Sequence, residues 1–173
     1  MNFGTFILDT NIVSETQKRK PHPNIIQWLR KTKSVAIPFP VILEIEWGIT
    51  NKARTDPARA GQLRRWWDQL MKTEFEYPAM TPRVAALEAR MAVEPILKNL
   101  WLNYAKGRPR PPVQDLKIAA IAITYGMPIA TLDSSDFALI DRYFPLPGVF
   151  NPALGQWVVP YSTLVRSQHL SAA

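Results

Sequence analysis

Apolar residues alternate between short continuous runs and stretches of helical period. Thr5-Phe6-Ile7-Leu8 is a continuous run of the kind found in a central strand covered on both faces. Asp9-Thr10-Asn11 follows with capping groups, and residues 12–16 begin a helical turn. Residues 24–33 form an amphipathic helix, with Ile25, Ile26, Trp28 and Leu29 apolar and Arg30, Lys31 and Lys33 exposed. Residues 34–39 read as a second strand and 41–51 as a helix carrying Glu44. Residues 58–71 place Leu63, Trp66, Trp67 and Leu70 at helical spacing, and 74–77 read as a short edge strand. Thr81-Pro82 caps a long helix running to residue 104, which Pro95 should kink or split. Residues 113–125 form an apolar helix stopped by Gly126. Residues 127–132 are the next strand, 134–142 a short helix and 149–151 a last short strand. The tail, 152–173, carries no assignable pattern.

This order of strands and helices predicts an α/β fold with a mostly parallel sheet. In such sheets ligands bind beyond the carboxyl ends of the strands, where Asp9 and Asp133 fall.

Asp9 ends one apolar run and Asp133 ends another, Pro128-Ile129-Ala130-Thr131-Leu132. Glu44 interrupts Val41-Ile42-Leu43-Glu44-Ile45, and Asp115 opens an apolar helix behind two prolines. A carboxylate in such surroundings needs compensation of its charge. The neighbouring sequence has too few Lys or Arg residues to pair all four acids, and a divalent cation would compensate several at once. Asp9 and Asp115 are assigned as direct ligands. Glu44 ligates through water or orients the nucleophile, and Asp133 holds a second ion. Each has a plainer reading: Asp9 and Asp115 suit helix caps, and Asp133 begins the turn-like Asp133-Ser134-Ser135-Asp136. Glu44 resists that reading, because caps do not occur inside an apolar helix. Thr10, Asn11, Thr131 and Ser134 are placed to hydrogen-bond the acids. Glu15 either pairs with a basic neighbour or completes the acidic pocket, and the second role is favoured. Lys117 is a counter-charge to Asp115 or simply solvated.

The length of 173 residues suits one domain, and 47% hydrophobic with 20% charged residues is the make-up of a globular protein. No run is long enough for a membrane span and no signal peptide is visible, so a cytoplasmic location is expected. The absence of cysteine excludes disulfides and thiolate ligation, and two histidines (His22, His169) make a His-rich zinc site unattractive. A metal site must therefore be built from oxygen, which favours Mg²⁺ or Mn²⁺. The net charge of +7 makes a polyanion a fitting partner. The basic segments Lys18-Arg19-Lys20 and Lys106-Gly107-Arg108-Pro109-Arg110 would grip phosphates.

Ile7-Leu8-Asp9-Thr10-Asn11-Ile12-Val13-Ser14-Glu15 resembles the opening of PIN-domain ribonucleases, above all the VapC/FitB branch of bacterial type II toxins. Glu44-Ile45-Glu46-Trp47-Gly48-Ile49 resembles the second motif of that branch, and Asp115-Leu116-Lys117-Ile118-Ala119-Ala120-Ile121-Ala122 the third. Thr131-Leu132-Asp133-Ser134-Ser135-Asp136-Phe137 is similar to the fourth, and Phe150-Asn151-Pro152 to a closing element. No single motif is specific; their order over residues 5–152 is. Departures are the basic, proline-rich stretch before Asp115, the long tail, and Trp47 at a commonly basic position. Asp136 competes with Asp133 for the ligand role, and the preceding Thr131 favours Asp133.

The resemblance implies a three-layer α/β/α PIN fold over residues 1–152, with 153–173 as a C-terminal extension. It implies a Mg²⁺- or Mn²⁺-dependent endoribonuclease with Asp9, Glu44, Asp115 and Asp133 at its centre and RNA as substrate. It also implies a VapB-like antitoxin, a homodimer, and promoter DNA bound only through the toxin–antitoxin complex. Two competing readings remain: a non-catalytic RNA-binding module, and an interaction domain that buries Trp66, Trp67 and Trp101 against a partner. Trp66-Trp67 suits core and partner surface better than base stacking.

Overall fold

The computed structural model describes residues 4–100 and 114–162. The chain begins with β1 (Phe6–Leu8), α1 (Thr10–Glu15), α2 (Pro23–Lys31) and β2 (Val35–Ala36). Three helices follow, α3 (Phe39–Ala53), α4 (Pro57–Leu70) and α5 (Pro82–Ala92), and then a 3-10 turn at Pro95–Leu100. Next come α6 (Asp115–Tyr125), β3 (Ile129–Ala130), α7 (Ser134–Asp141), β4 (Val149–Asn151) and β5 (Gln156–Val159). The strands form one sheet in the order β2-β1-β3-β4-β5, parallel except for β5, which runs antiparallel to β4. Helices flank the sheet. The expected α/β architecture with a short, mostly parallel sheet is the one found.

The local chemistry explains the elements. Ile7, Ile129, Ala130 and Val149 have no exposed surface, so β1, β3 and β4 show no polar alternation. The Thr81 hydroxyl accepts from the Val84 N–H at 3.3 Å and caps α5, with Pro82 at its first position. Helix α6 buries Leu116 and every residue from Ile118 to Ile123, and packs against α3, α5 and α7. It stops at Gly126, whose φ of 64° is left-handed and costs a glycine least.

Several boundaries differ from the sequence reading. The strand expected at 34–39 survives only as Val35–Ala36, because Pro38 and Pro40 remove ladder donors and α3 starts at Phe39. The edge strand expected at 74–77 is a single parallel bridge between Glu76 and Ala36. The long helix expected from residue 81 ends at Ala92, and Pro95 splits it, one of the two effects expected of it, by opening the tighter turn. Its remaining stretch, like Trp101 and the basic segment at 106–110, lies outside the described residues.

The segment after Pro152 that lacked an assignment contributes β5, an integral strand of the sheet. Its Trp157 stacks on Phe6 with ring centroids 5.8 Å apart and packs against Phe150 at 5.2 Å. The approach is close enough that a Cβ on Gly148 (φ 150°) would lie 2.8 Å from the Trp157 ring. Of the tryptophan pair, Trp67 is core at 2% exposure, and the Trp66 indole N–H donates to the Thr16 hydroxyl at 3.1 Å.

Candidate active site

The sheet order places β2 on one side of β1 and β3 on the other, so the chain changes direction between β1 and β3. A crevice opens at the carboxyl ends of strands at such a point. Asp9 directly follows β1, and Thr131-Leu132-Asp133 directly follows β3.

Asp9 is 6% exposed, and its carboxylate is held by three donors. The Thr10 N–H donates to Oδ1 at 2.6 Å. The Asn11 side-chain amide and the Thr131 hydroxyl donate to Oδ2 at 2.8 and 2.7 Å. Asn11 also accepts from the Leu132 N–H at 3.1 Å, and the Thr131 hydroxyl oxygen accepts from the Asp133 N–H at 2.9 Å. The ends of β1 and β3 are thus laced together through Asp9, Asn11 and Thr131. From α3, the Glu44 Oε2 accepts the Thr10 hydroxyl at 2.5 Å. Asp9 occupies the cap position of α1, as its plainer reading held, but two of its three donors come from outside a cap.

Asp115 is the first residue of α6, and the preceding Gln114 occupies the cap position. The Asp115 carboxylate has no hydrogen-bond or ion-pair partner among the described residues. Asp133 occupies the cap position of α7 but makes no cap hydrogen bond; its Oδ1 accepts from the Ser135 hydroxyl at 3.1 Å. Asp136 sits in the first turn of the same helix.

The electrostatics show that these acids feel one another. Burial pushes Asp9 up to about 6, and Glu44 and Asp133 add repulsion against the opposing hydrogen bonds of Thr131 and Thr10. Asp115 is pushed up to about 8, first by burial and then by repulsion from Asp9, Asp136, Asp133 and Glu44. Asp136 is raised by burial and by Asp133. The described ion pairs involve none of these acids. Lys117 is not their counter-charge: it faces Glu88 at 3.6 Å and donates to Gln114 Oε1 at 3.2 Å.

The donor set suits a hard cation, being wholly oxygen and, among the described residues, without an ion-pair partner; Asp9 is buried, Glu44 and Asp115 are half-buried and Asp133 is exposed. Among the described residues no group of three or more Asp, Glu, His or Cys side chains forms a ready cage for an ion.

Glu15 does not complete the acidic centre, contrary to the sequence reading. It is 3% exposed, pairs with Lys18 and accepts the His22 N–H at 2.6 Å. The bond from Lys18, followed by that from His22, holds its carboxyl below the usual range. A carboxylate one turn further along α1 points to the loop it caps. Lys18 is therefore engaged with Glu15, whereas Arg19 and Lys20 are exposed. Lys106, Arg108 and Arg110 lie outside the described residues. The second acid of the Glu44 motif, Glu46, serves packing: it takes two bonds from Arg64 (2.8 and 2.6 Å) and one from the Trp67 indole (2.8 Å). A cavity of about 640 Å³ beside α2, β2 and the end of α4 includes none of the acids in its lining.

The model of the PIN domain family matches residues 6–143, most of the chain and a span that includes the four acids. This chain belongs to the PIN-domain family. Within it, the chain is 42% identical over 76 residues to ribonuclease VapC14 of Mycobacterium tuberculosis, a match spanning 42% of this chain and 73% of that protein. The fold of this PIN domain is similar to that in the crystal structure of FitAcB from Neisseria gonorrhoeae. There the TM-score is 0.59 at 22% identity, covering 85% of this chain and 97% of the other. It is also similar to VapBC2 from Rickettsia felis bound to a DNA fragment from its promoter (TM-score 0.53, 19% identity, 78% and 91% covered). Among the described residues of the PIN domain, no helix is long and apolar enough to cross a membrane.

One residue of this PIN domain's site escaped the sequence reading as an individual. Asn151, named there only within a closing element, reaches the start of α7 from the end of β4. Its signal was an asparagine between an apolar run and a proline, a turn-starting pair.

Proposed function

We propose that this PIN domain is a Mg²⁺- or Mn²⁺-dependent endoribonuclease and the toxic member of a type II toxin–antitoxin pair. The observation that carries this reading is the buried carboxylate of Asp9 together with the half-buried one of Asp115. Burial and neighbouring acids raise their pKa values to about 6 and about 8, and neither is paired to a cation among the described residues. Leaving such groups ionised and unpaired is costly, and a bound cation removes the cost. Asp9, Asp115 and Asp133 would hold it. When bound, the metal supplies an acidified water and positive charge for the phosphoryl oxygens.

The chain's own residues do the remainder. Thr10, Asn11 and Thr131 fix Asp9 in a single orientation, so its oxygens need not reorganise when a ligand arrives. Glu44, tethered by the Thr10 hydroxyl, accepts a proton or orients water at its free oxygen. Asp133 and Asp136 extend the negative surface along α7. Arg19, Lys20 and the basic residues Lys106, Arg108 and Arg110 would meet RNA phosphates. The expected partners are a VapB-like antitoxin and a second copy of the chain, with promoter DNA contacted through the antitoxin complex. The similarity to ribonuclease VapC14 and to FitAcB and VapBC2 supports this assignment.

The test is cleavage of structured RNA by the purified protein. Mn²⁺ should support cutting and EDTA should stop it. D9N and D115N should each lower the rate at least about a hundredfold while leaving the fold intact. Equal RNA binding in EDTA without any cleavage would identify a binding module and overturn the proposal.

A further inference from the structure

We infer that Asn151 is a positioning residue that sets the loop carrying Asp133, and so makes the β4–β5 hairpin part of the site's framework. This rests on the proposed metal-dependent reading of the acidic centre. The loop from β3 to α7 is short, and Asp133 spends no hydrogen bond on capping α7. Something else must hold it. On one side Asn11 does so, accepting the Leu132 N–H at 3.1 Å while its amide donates to Asp9 and, at 3.2 Å, to Thr131.

On the other side stands Asn151, 7% exposed, the last residue of β4. Its amide donates to the Ser134 hydroxyl at 3.3 Å, and Ser134 is the residue directly after Asp133. Its Oδ1 accepts the Ala153 and Leu154 N–H groups at 3.0 and 3.3 Å, which closes the turn into β5. A single buried side chain thus ties the hairpin turn to the first residue of α7. The two asparagines bracket the loop from opposite neighbours.

The hairpin is a firm base for this. The Phe150 carbonyl accepts the Thr131 N–H at 3.0 Å, so β4 runs beside the loop's first residue. Trp157 stacks on Phe6, three residues before Asp9. The Ala153 carbonyl accepts the Asn24 side chain at 2.8 Å, which fixes the turn to α2 as well. A buried amide held by three bonds has one orientation to offer, and it transmits that orientation to Ser134.

Serine-to-alanine at 134 isolates the link, since it removes the acceptor and leaves the turn bonds of Asn151 in place. N151A removes everything. In S134A, hydrogen exchange at the Leu132 and Asp133 amides should quicken about tenfold, with the melting temperature within about 2 °C of wild type. Mn²⁺ affinity by calorimetry should fall about tenfold in N151A and by less in S134A. The RNA cleavage kcat should fall with it while KM holds. A purely structural Asn151 would lower the melting temperature of N151A but leave exchange at the loop and Mn²⁺ affinity of S134A at wild-type values, and that result overturns the inference. If N151A does not fold, S134A decides alone. Absence of RNA cleavage by the wild-type chain would overturn the enzymatic reading, and the exchange comparison would still judge the link.

Discussion

The Thr10 hydroxyl donates to Glu44 Oε2 at 2.5 Å, which fastens helix α3 to the residue after Asp9. A short hydroxyl–carboxyl bond fixes both groups, and here it aims a catalytic candidate from a different helix. T10V removes the donor and keeps the shape. Its RNA cleavage should fall about tenfold with little change in melting temperature, and T10S should restore the rate. Wild-type cleavage by T10V would show that Glu44 needs no such tether.

Stability should depend on pH in an unusual direction. An unfolded aspartate titrates near 3.8, whereas folded Asp9 and Asp115 stand at about 6 and about 8. Between those values the folded chain retains protons that the unfolded chain has lost, so stability falls as pH rises through them. The contribution is fully present below the unfolded value and gone above the folded ones. In chelator the melting temperature should be lower at about pH 8.5 than at about pH 5, by on the order of 5 °C. Mn²⁺ should raise it more at the higher pH. Glu15, Glu46 and Glu76 have lowered values and act in the opposite sense below 4.5, outside this window. A scan in chelator that is flat or rises between the two pH values would contradict the crowding of these acids.

Glu44 and Glu46 lie two residues apart on α3 and face different tasks. E46A leaves the buried Trp67 indole without its acceptor and frees Arg64, which should cost about 1–3 kcal/mol in a denaturant titration and leave kcat unchanged. E44Q should do the reverse: a stable fold with cleavage reduced at least about tenfold. Exchanged phenotypes would mean that the motif's first acid is the structural one.

G148A tests the docking of β5. The new Cβ would meet the Trp157 ring at 2.8 Å in a backbone conformation with φ of 150°. Destabilisation of about 2 kcal/mol or more is expected, together with a red shift of Trp emission on exposure of the aromatic cluster. Wild-type stability would mean that Trp157 moves aside freely.

What was legible in the sequence follows from the range of the interactions. The continuous apolar runs around Ile7 and Ile129 announced buried parallel strands, and the acids that end them fall where the sheet changes direction. Glu44 stood out because an apolar helix does not tolerate an idle carboxylate. Glu15 misled although its first partner, Lys18, lies three residues on, the basic neighbour the sequence had offered; its second, the His22 N–H, is a backbone group that no side-chain pattern advertises. The strand at Gln156–Val159 was hidden because its outward positions are exposed and its anchor, Trp157 against Phe6, joins opposite ends of the chain. The bond from Asn151 to Ser134 could not be read without knowing that β4 ends beside α7.

The acids of the centre come from positions 9, 44, 115 and 133, and the strand ends that carry the first and last pair only through sheet formation. A chain still being synthesised therefore lacks one or more members until α7 has emerged, and the lacing of Asp9 by Thr131 forms only then. Assembly of the centre is thereby delayed until most of the chain has been made.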